Sequence, residues 1–326
     1  MTGTTRLVAA DIGGTHARFC LASIGPDGAI ALGEPTTLRT RDHASLAEAW
    51  RGFAEVAGEP MPQSAAVAVA APASGEVIRF TNNPWVVDRR ALGETLGVTR
   101  ASVVNDFAAI GHAVARLGEA NFRHLCGPDV PLPGEGTISV VGPGTGLGVA
   151  AVWRGSGDYR VQPTEGGHIA FAPADETDDR ILARLRARFG RVSVERVISG
   201  PGLAEICAVL AEENGVPLPA MDDPTLWKLG LSGEDPLASA GVERFCSTLG
   251  AAAGDIVLAQ GGTAAVIAGG LGLRLAERLT GSAFAASFSA KGRFDDLMAT
   301  IPVKLVTHPQ PGLFGAVAAF AKEHTA

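Results

Sequence analysis

Five short polar segments hold residue types that could do chemistry. Asp11 stands just before Gly13-Gly14-Thr15, and a carboxylate beside unhindered backbone N–H groups makes a corner suited to Mg2+ and phosphate oxygens. The run Gly142-Pro143-Gly144-Thr145-Gly146-Leu147-Gly148 offers a second loop whose backbone can approach phosphate closely. Neither loop follows the GxxxxGK(S/T) pattern, and the second does not follow GxGxxG spacing into a helix, which disfavours a P-loop NTPase and a Rossmann dehydrogenase. Asn105-Asp106, Glu165-Gly166-Gly167-His168 and Glu195 add an amide, carboxylates and an imidazole, the donors and acceptors that a polyhydroxylated ligand needs. Taken singly, several of these have a plain structural reading. Gly13-Gly14-Thr15 could be only a hairpin turn, Glu195 a first-turn helix acid, and His168 a satisfied core histidine. A metal centre at Glu165 and His168 is the weaker reading, because no second His or Cys lies near them in sequence.

Elements must hold these segments in place. Apolar runs over residues 7–10 and 19–24 flank the first loop, and 138–141 and 149–153 flank the second, so each unit reads as strand, glycine turn, strand. The two turns lie 131 positions apart, and the echo predicts two related halves. Residues 45–56 show helical spacing at Leu46, Ala49, Trp50 and Phe53; residues 65–71, before Pro72, read as a buried strand. A strand over 101–104 runs into Asn105-Asp106 and then a helix over 107–117, and a polar pair at a strand end is well placed for chemistry. Residues 175–190 have acids first and arginines late, with Ile181, Leu182, Leu185 and Phe189 on one face. That is a dipole-matched structural helix stopped at Gly190. The stretch 242–279 reads as two helices around a strand at 265–268, which ends at Gly269-Gly270. A strand at 302–306 and a helix at 311–322 close the chain. This alternation predicts α/β layers around largely buried sheets.

Composition narrows the class. Gly and Pro make 62 of 326 residues, below the ~25–30% of low-complexity chains. An apolar content of 46% is ample for a core, and the length suggests two domains. The net charge of −7, with no run of Lys and Arg, argues against nucleic acid as a partner. Cys20, Cys126, Cys207 and Cys246 show no CxxC or Cys/His ligand spacing and read as buried thiols in a reducing cytosol. The N-terminus lacks a signal-peptide apolar core. The uncharged stretches 136–153 and 256–273 reach 18 residues each, but their glycines suit turns rather than membrane helices, so no membrane partner is expected. Glycine supplies 42 residues, well above the usual ~7%. That surplus predicts many close-approach or left-handed backbone positions.

Ala10-Asp11-Ile12-Gly13-Gly14-Thr15, Asn105-Asp106-Phe107, the residues 142–148, Glu165-Gly166-Gly167-His168, the residues 193–203 and Lys291-Gly292-Arg293-Phe294 occur in an order that resembles bacterial glucokinases of the proteobacterial type. The resemblance spans residues 10 to about 315. It implies an α/β, actin-like (ribonuclease H-like) ATPase fold of two α/β domains with a cleft between them. The smaller domain would comprise residues 1–115, completed by a C-terminal helix at 309–326, and the larger 116–308. ATP phosphates would meet Ala10, Asp11, Ile12, Gly13, Gly14 and Thr15 on one side and Gly144, Thr145 and Gly146 on the other. Gly269 and Gly270 would meet the adenosine, and Asp11 would hold Mg2+, through water. Asp106 would be the general base toward the glucose 6-hydroxyl, with Asn105, Asp106, Glu165, His168 and Glu195 holding the sugar. By the same resemblance, 15 of the 42 glycines fall at or beside phosphate and sugar.

The resemblance also implies a cytoplasmic homodimer. The chain departs from the family pattern at Ala10, where Gly is common, and at His16, where Asn is. It lacks the Cys-rich motif of the repressor/open-reading-frame/kinase sugar kinases, so no structural zinc is expected. Two alternatives stand beside glucose as substrate: a kinase for another hexose or amino sugar, and a non-enzymatic actin-like module switched by nucleotide. The second has no need of Asn105-Asp106 with a Glu/His/Glu set.

Overall fold

A computed structural model describes residues 3–71, 75–80, 83–218 and 220–324. Pro72, expected to follow a strand, and Thr325 and Ala326, at the end of the expected C-terminal helix, lie outside the described residues. The chain forms two compact units, Met1–Leu117 with His308–Ala326, and Gly118–Thr307.

The first unit is built on strands β1 (Thr5–Ile12), β2 (His16–Ile24), β3 (Ile30–Leu32), β4 (Thr36–Arg39) and β5 (Ser64–Val69), a separate two-stranded ribbon β6 (Val77–Arg79) and β7 (Val86–Asp88), and β8 (Arg100–Asn105). The main sheet runs β3-β2-β1-β5-β8, with β4 also on β2. β1 pairs antiparallel with β2 and parallel with β5, and β5 pairs parallel with β8. Both faces of the central strands are apolar, and both are covered. Val8, Ala10 and Ile12 share one cluster with Leu46, Ala49, Trp50 and Phe53 of helix α1 (Leu46–Ala57). Leu7 and Ala9 face the C-terminal helix Pro311–His324 through Leu313, Ala316, Val317 and Phe320. The expected N-terminus of α1 is fixed by Ser45, whose Oγ accepts from Glu48 N at 3.2 Å. Short α2 (Leu92–Leu96) and α3 (Asp106–Arg116) complete this unit's front half.

The second unit repeats the plan, as the echo in the sequence predicts. After β9 (Phe122–Cys126) come β10 (Gly136–Pro143), β11 (Leu147–Gly155), β12 (Asp158–Thr164), β13 (Gly262–Ile267) and β14 (Val303–Val306), ordered β12-β11-β10-β13-β14-β9. β10 pairs antiparallel with β11 and parallel with β13, and β13 pairs parallel with β14. The helices are α4 (Glu176–Phe189), α5 (Gly202–Asn214), α6 (Asp223–Ser232), α7 (Pro236–Gln260), α8 (Gly269–Arg274), α9 (Ala276–Gly281), α10 (Phe284–Ser289) and α11 (Asp295–Ala299). The C-terminal helix is α12 (Pro311–His324).

Several expectations shift. Helix α7 starts at Pro236 rather than 242, because Asp235 caps it through Ala238 N at 2.7 Å. The single helix expected after β13 is broken at Leu275 into α8 and α9. Both glycine turns are shorter than expected: the ladder continues through Asp11↔Arg18 and Gly142↔Gly148, leaving only residues 13–15 and 144–146 outside the strands. Among the described residues, no helix is long and apolar enough to cross a membrane. All four cysteines are free.

Candidate active site

In the first unit, parallel register brings the candidate residues to one end of the sheet. Ile12 lies opposite Val69, and Val69 opposite Asn105. Asp11 and Asp106 therefore sit at the carboxyl ends of parallel strands, where α/β sheets present ligand sites. The side chains of Ala10 and Ile12 are wholly buried, so these two can offer a ligand only backbone. Asp11 points to the opposite face, toward α12, with its side chain 24% exposed. Arg18 Nη1 lies 3.6 Å from Asp11 Oδ2, yet burial outweighs this partner and pushes the carboxyl above its ordinary range.

The first turn is closed by Gly13 N donating to His16 O at 2.9 Å. Thr40 then ties down the turn's carbonyls: its Oγ1 donates to Gly14 O at 2.8 Å and its N to Thr15 O at 3.0 Å. The Gly14 and Thr15 N–H groups donate to no partner among the described residues. A turn with carbonyls tethered and amides outward is what an anion-binding nest requires.

Asn105 is the N-cap of α3. Its Oδ1 accepts from Phe107 N at 2.9 Å and Ala108 N at 3.1 Å; its Nδ2 donates to Ala71 O at 3.1 Å and to Asp106 Oδ1 at 3.0 Å. The amide thus caps α3, ties the strand end to Ala71 and holds its neighbour. Asp106 Oδ1 also accepts from Phe107 N at 2.9 Å, so both of these bonds fall on one oxygen. Burial first, and then the nearby charge of Asp11, push the Asp106 carboxyl up to about 6 against an opposing pull from these hydrogen bonds.

In the second unit the structure gathers the other segments around the second turn. Gly144 N donates to Gly146 O at 2.8 Å, and Gly200 N to Gly144 O at 2.7 Å. Glu195, on a 3-10 turn Val194–Arg196, accepts from Leu147 N at 2.9 Å through Oε2. Its carboxylate therefore serves the glycine loop and not its own turn. Glu165 caps and His168 ends a 3-10 turn Gly166–His168, with Oε2 and Nε2 at 3.7 Å and side chains 73% and 55% exposed. His168 is accordingly no core histidine. Phe171 N donates to Val192 O and Val194 N to Ile169 O, which knits this segment to the Glu195 turn. Gly269, at φ 83°, begins α8 so close to the loop that a Cβ there would lie 2.9 Å from Pro143 O; around Gly270 a Cβ would meet nothing within 4 Å.

The glycine surplus divides accordingly. Of the 15 glycines given a site address, only Gly261 and Gly269 have left-handed φ. At Gly167 and Gly202 a Cβ would collide with the carbonyls of Leu147 and Val197, so those two serve protein packing and not ligand access. At Gly144, Gly261 and Gly270 a Cβ would have no neighbour nearer than 4.0 Å, and at Gly13 and Gly200 it would make only ordinary contacts at 3.4 and 3.5 Å.

The sequence reading missed three residues. Arg18 pairs with Asp11, as the hairpin register would have indicated. Arg191 Nη2 donates to His168 O at 2.7 Å, and Gly312 of α12 packs on Asp11; neither contact has a local signal in the sequence.

The comparisons agree with this architecture. The Glucokinase family model matches residues 8–323. A glucokinase from Zymomonas mobilis is 53% identical over 319 residues, 98% of each chain. The crystal structure of a glucokinase from an Antarctic psychrotroph superposes with a TM-score of 0.84 at 32% identity, covering 97% of this chain and 99% of that one. A ROK family glucokinase from Streptomyces griseus, solved with glucose and AMPPNP, shares the fold at a TM-score of 0.62 and 17% identity, over 98% and 99% of the two chains. The fold is that of the actin-like ATPases, with two α/β domains, and the chain belongs to the glucokinase family of enzymes.

Proposed function

We propose that the enzyme transfers the γ-phosphoryl group of ATP to the 6-hydroxyl of D-glucose, giving glucose 6-phosphate and ADP, with Asp106 as general base. The observation that carries this reading is the setting of Asp106. Its Oδ1 is held by Asn105 and Phe107, which leaves Oδ2 to take the hydroxyl proton, and burial pushes its carboxyl up to about 6. Such a group is ionised at neutral pH and still basic enough to accept a proton. As the O6–H bond gives its proton to Asp106, O6 bonds to the γ-phosphorus and the bond to the ADP oxygen breaks. The family match and the glucokinase relative support glucose as the acceptor.

In this reading residues 1–115 with 309–326 carry the base and the first phosphate turn, and 116–308 carry the rest. Gly13, Gly14 and Thr15, and Gly144, Thr145 and Gly146, offer backbone to the phosphates, and Gly269-Gly270 to the adenosine. Glu165, His168 and Glu195 hold sugar hydroxyls, while Asn105 holds Asp106. Asp11 fits Mg2+ as a single carboxylate: its side chain is partly exposed and lies within electrostatic reach of Asp106, although among the described residues no group of three or more His, Cys, Asp or Glu could hold a metal ion by itself. Mg2+ is ordinarily held by one or two carboxylates, water and substrate phosphate. When bound, it supplies positive charge against the phosphate oxygens. We place the enzyme in the cytoplasm, as a homodimer.

A coupled assay over glucose, mannose, fructose, glucosamine and N-acetylglucosamine tests the substrate. Glucose is expected to give the highest kcat/KM; activity confined to an amino sugar would overturn the choice.

A further inference from the structure

Glu195 is the place where two assigned functions meet. Its Oε2 accepts from Leu147 N at 2.9 Å, at the start of β11. The same oxygen fills the place a Cβ of residue 146 would take, with Glu195 Cδ 3.0 Å from that position. On the other stem of the loop, Gly200 N holds Gly144 O at 2.7 Å, and Gly200 O in turn accepts from Trp227 Nε1 at 2.8 Å. The turn that carries Glu195 is anchored by Val194 N on Ile169 O at 3.0 Å and by the bridge between Ala170 and Ser193. Oε1 makes no hydrogen bond among the described residues. A carboxylate has about four acceptor positions, so one oxygen can brace the loop while the other receives a hydroxyl.

We propose that Glu195 is a positioning residue for the second glycine loop as well as a sugar ligand, and that Gly146 lacks a side chain to admit its carboxylate. Sugar recognition and the shape of the phosphate loop then depend on one side chain. This rests on the assignment of Glu195 to the sugar and of residues 144–146 to phosphate. A methyl group at position 146 would meet the far end of a flexible side chain, so Gly146→Ala moves the carboxylate and not the backbone.

The test is calorimetric binding of glucose alone and of AMPPNP alone to the full chain and three variants. Glu195→Gln keeps an amide oxygen that can accept from Leu147 N but loses the charge. It is expected to weaken glucose by about 10- to 100-fold, the size of one hydrogen bond to a charged group, and to leave AMPPNP within about twofold. Glu195→Ala is expected to weaken both ligands. Gly146→Ala is expected to weaken glucose about 10-fold or more, although residue 146 is no part of the sugar set. Wild-type AMPPNP binding by Glu195→Ala, or wild-type glucose binding by Gly146→Ala, would overturn the proposal while the sugar assignment stands. Wild-type glucose binding by both Glu195 variants would remove the sugar assignment, and the proposal with it. Should Gly146→Ala not fold, the pair at residue 195 decides.

Discussion

Gly312, in the first turn of α12, rests against the Asp11 carboxylate: a Cβ at 312 would lie 2.7 Å from Oδ2 and 3.0 Å from Cγ. A residue near the chain's end thus sets the room available to a carboxylate near its beginning. Gly312→Ala is expected to displace Asp11 and lower kcat by about 10- to 100-fold, as a small misplacement at a reacting centre does, with glucose affinity little changed. Steady-state kinetics with separate glucose titration checks this; unchanged kcat would detach Asp11 from the phosphate corner.

The pH profile follows from Asp106. Its carboxyl is raised to about 6, so the base is ionised above that pH and progressively protonated below it. kcat/KM for glucose is expected to fall about tenfold per unit on the acid side of pH 6. Because the Asp11 charge contributes to the rise, Asp11→Asn should move the acid limb to lower pH, measured on whatever activity remains. A limb that stays in place would exclude the coupling of the two carboxylates.

Stability carries the same signature with the opposite benefit. The folded protein binds this proton more tightly than the unfolded chain, whose carboxyl stays near 3.8. The stabilisation from the protonated form is complete below about 3.8 and is lost as pH rises through about 6. Asp106→Asn, neutral at every pH, is therefore expected to be more stable than wild type at pH 7.5 by up to about 3 kcal/mol and to show little gain at pH 4. Urea unfolding at the two pH values measures it.

Two glycines should separate packing from access. At Gly315 a Cβ would run into Ala109 O of α3, so Gly315→Ala must move a helix and is expected to cost about 1–3 kcal/mol or more. At Gly270 nothing lies within 4 Å of a Cβ, so Gly270→Ala should change stability by only about 0.5 kcal/mol while raising KM for ATP. Thermal unfolding alongside ATP titration distinguishes them; a stability loss at 270 equal to that at 315 would contradict the division.

The elements that carry the site were legible because their signals are local. The continuous apolar runs of β1 and β5, the apolar stripe of α1 and the cap-to-glycine span of α4 each appear in a single window of sequence. The echo of the two glycine turns likewise foretold the repeated sheet order. The turns were read too long, since glycine does not end a strand whose ladder can continue, as Gly142↔Gly148 does. Gly167 and Gly269 turned out to answer to the backbone carbonyls of Leu147 and Pro143, neighbours that no single window contains. The same holds for the bond from Leu147 N to Glu195, 48 positions away, and for Gly312 on Asp11.

The central claim is tested most directly by ADP release from ATP, followed with and without glucose, in wild type and in Asp106→Asn. The expected result is release only with glucose, one ADP per glucose 6-phosphate, and a kcat lowered about 10²- to 10⁴-fold in Asp106→Asn with glucose still bound. ATP turnover independent of any sugar, or near-normal turnover by Asp106→Asn, would contradict it.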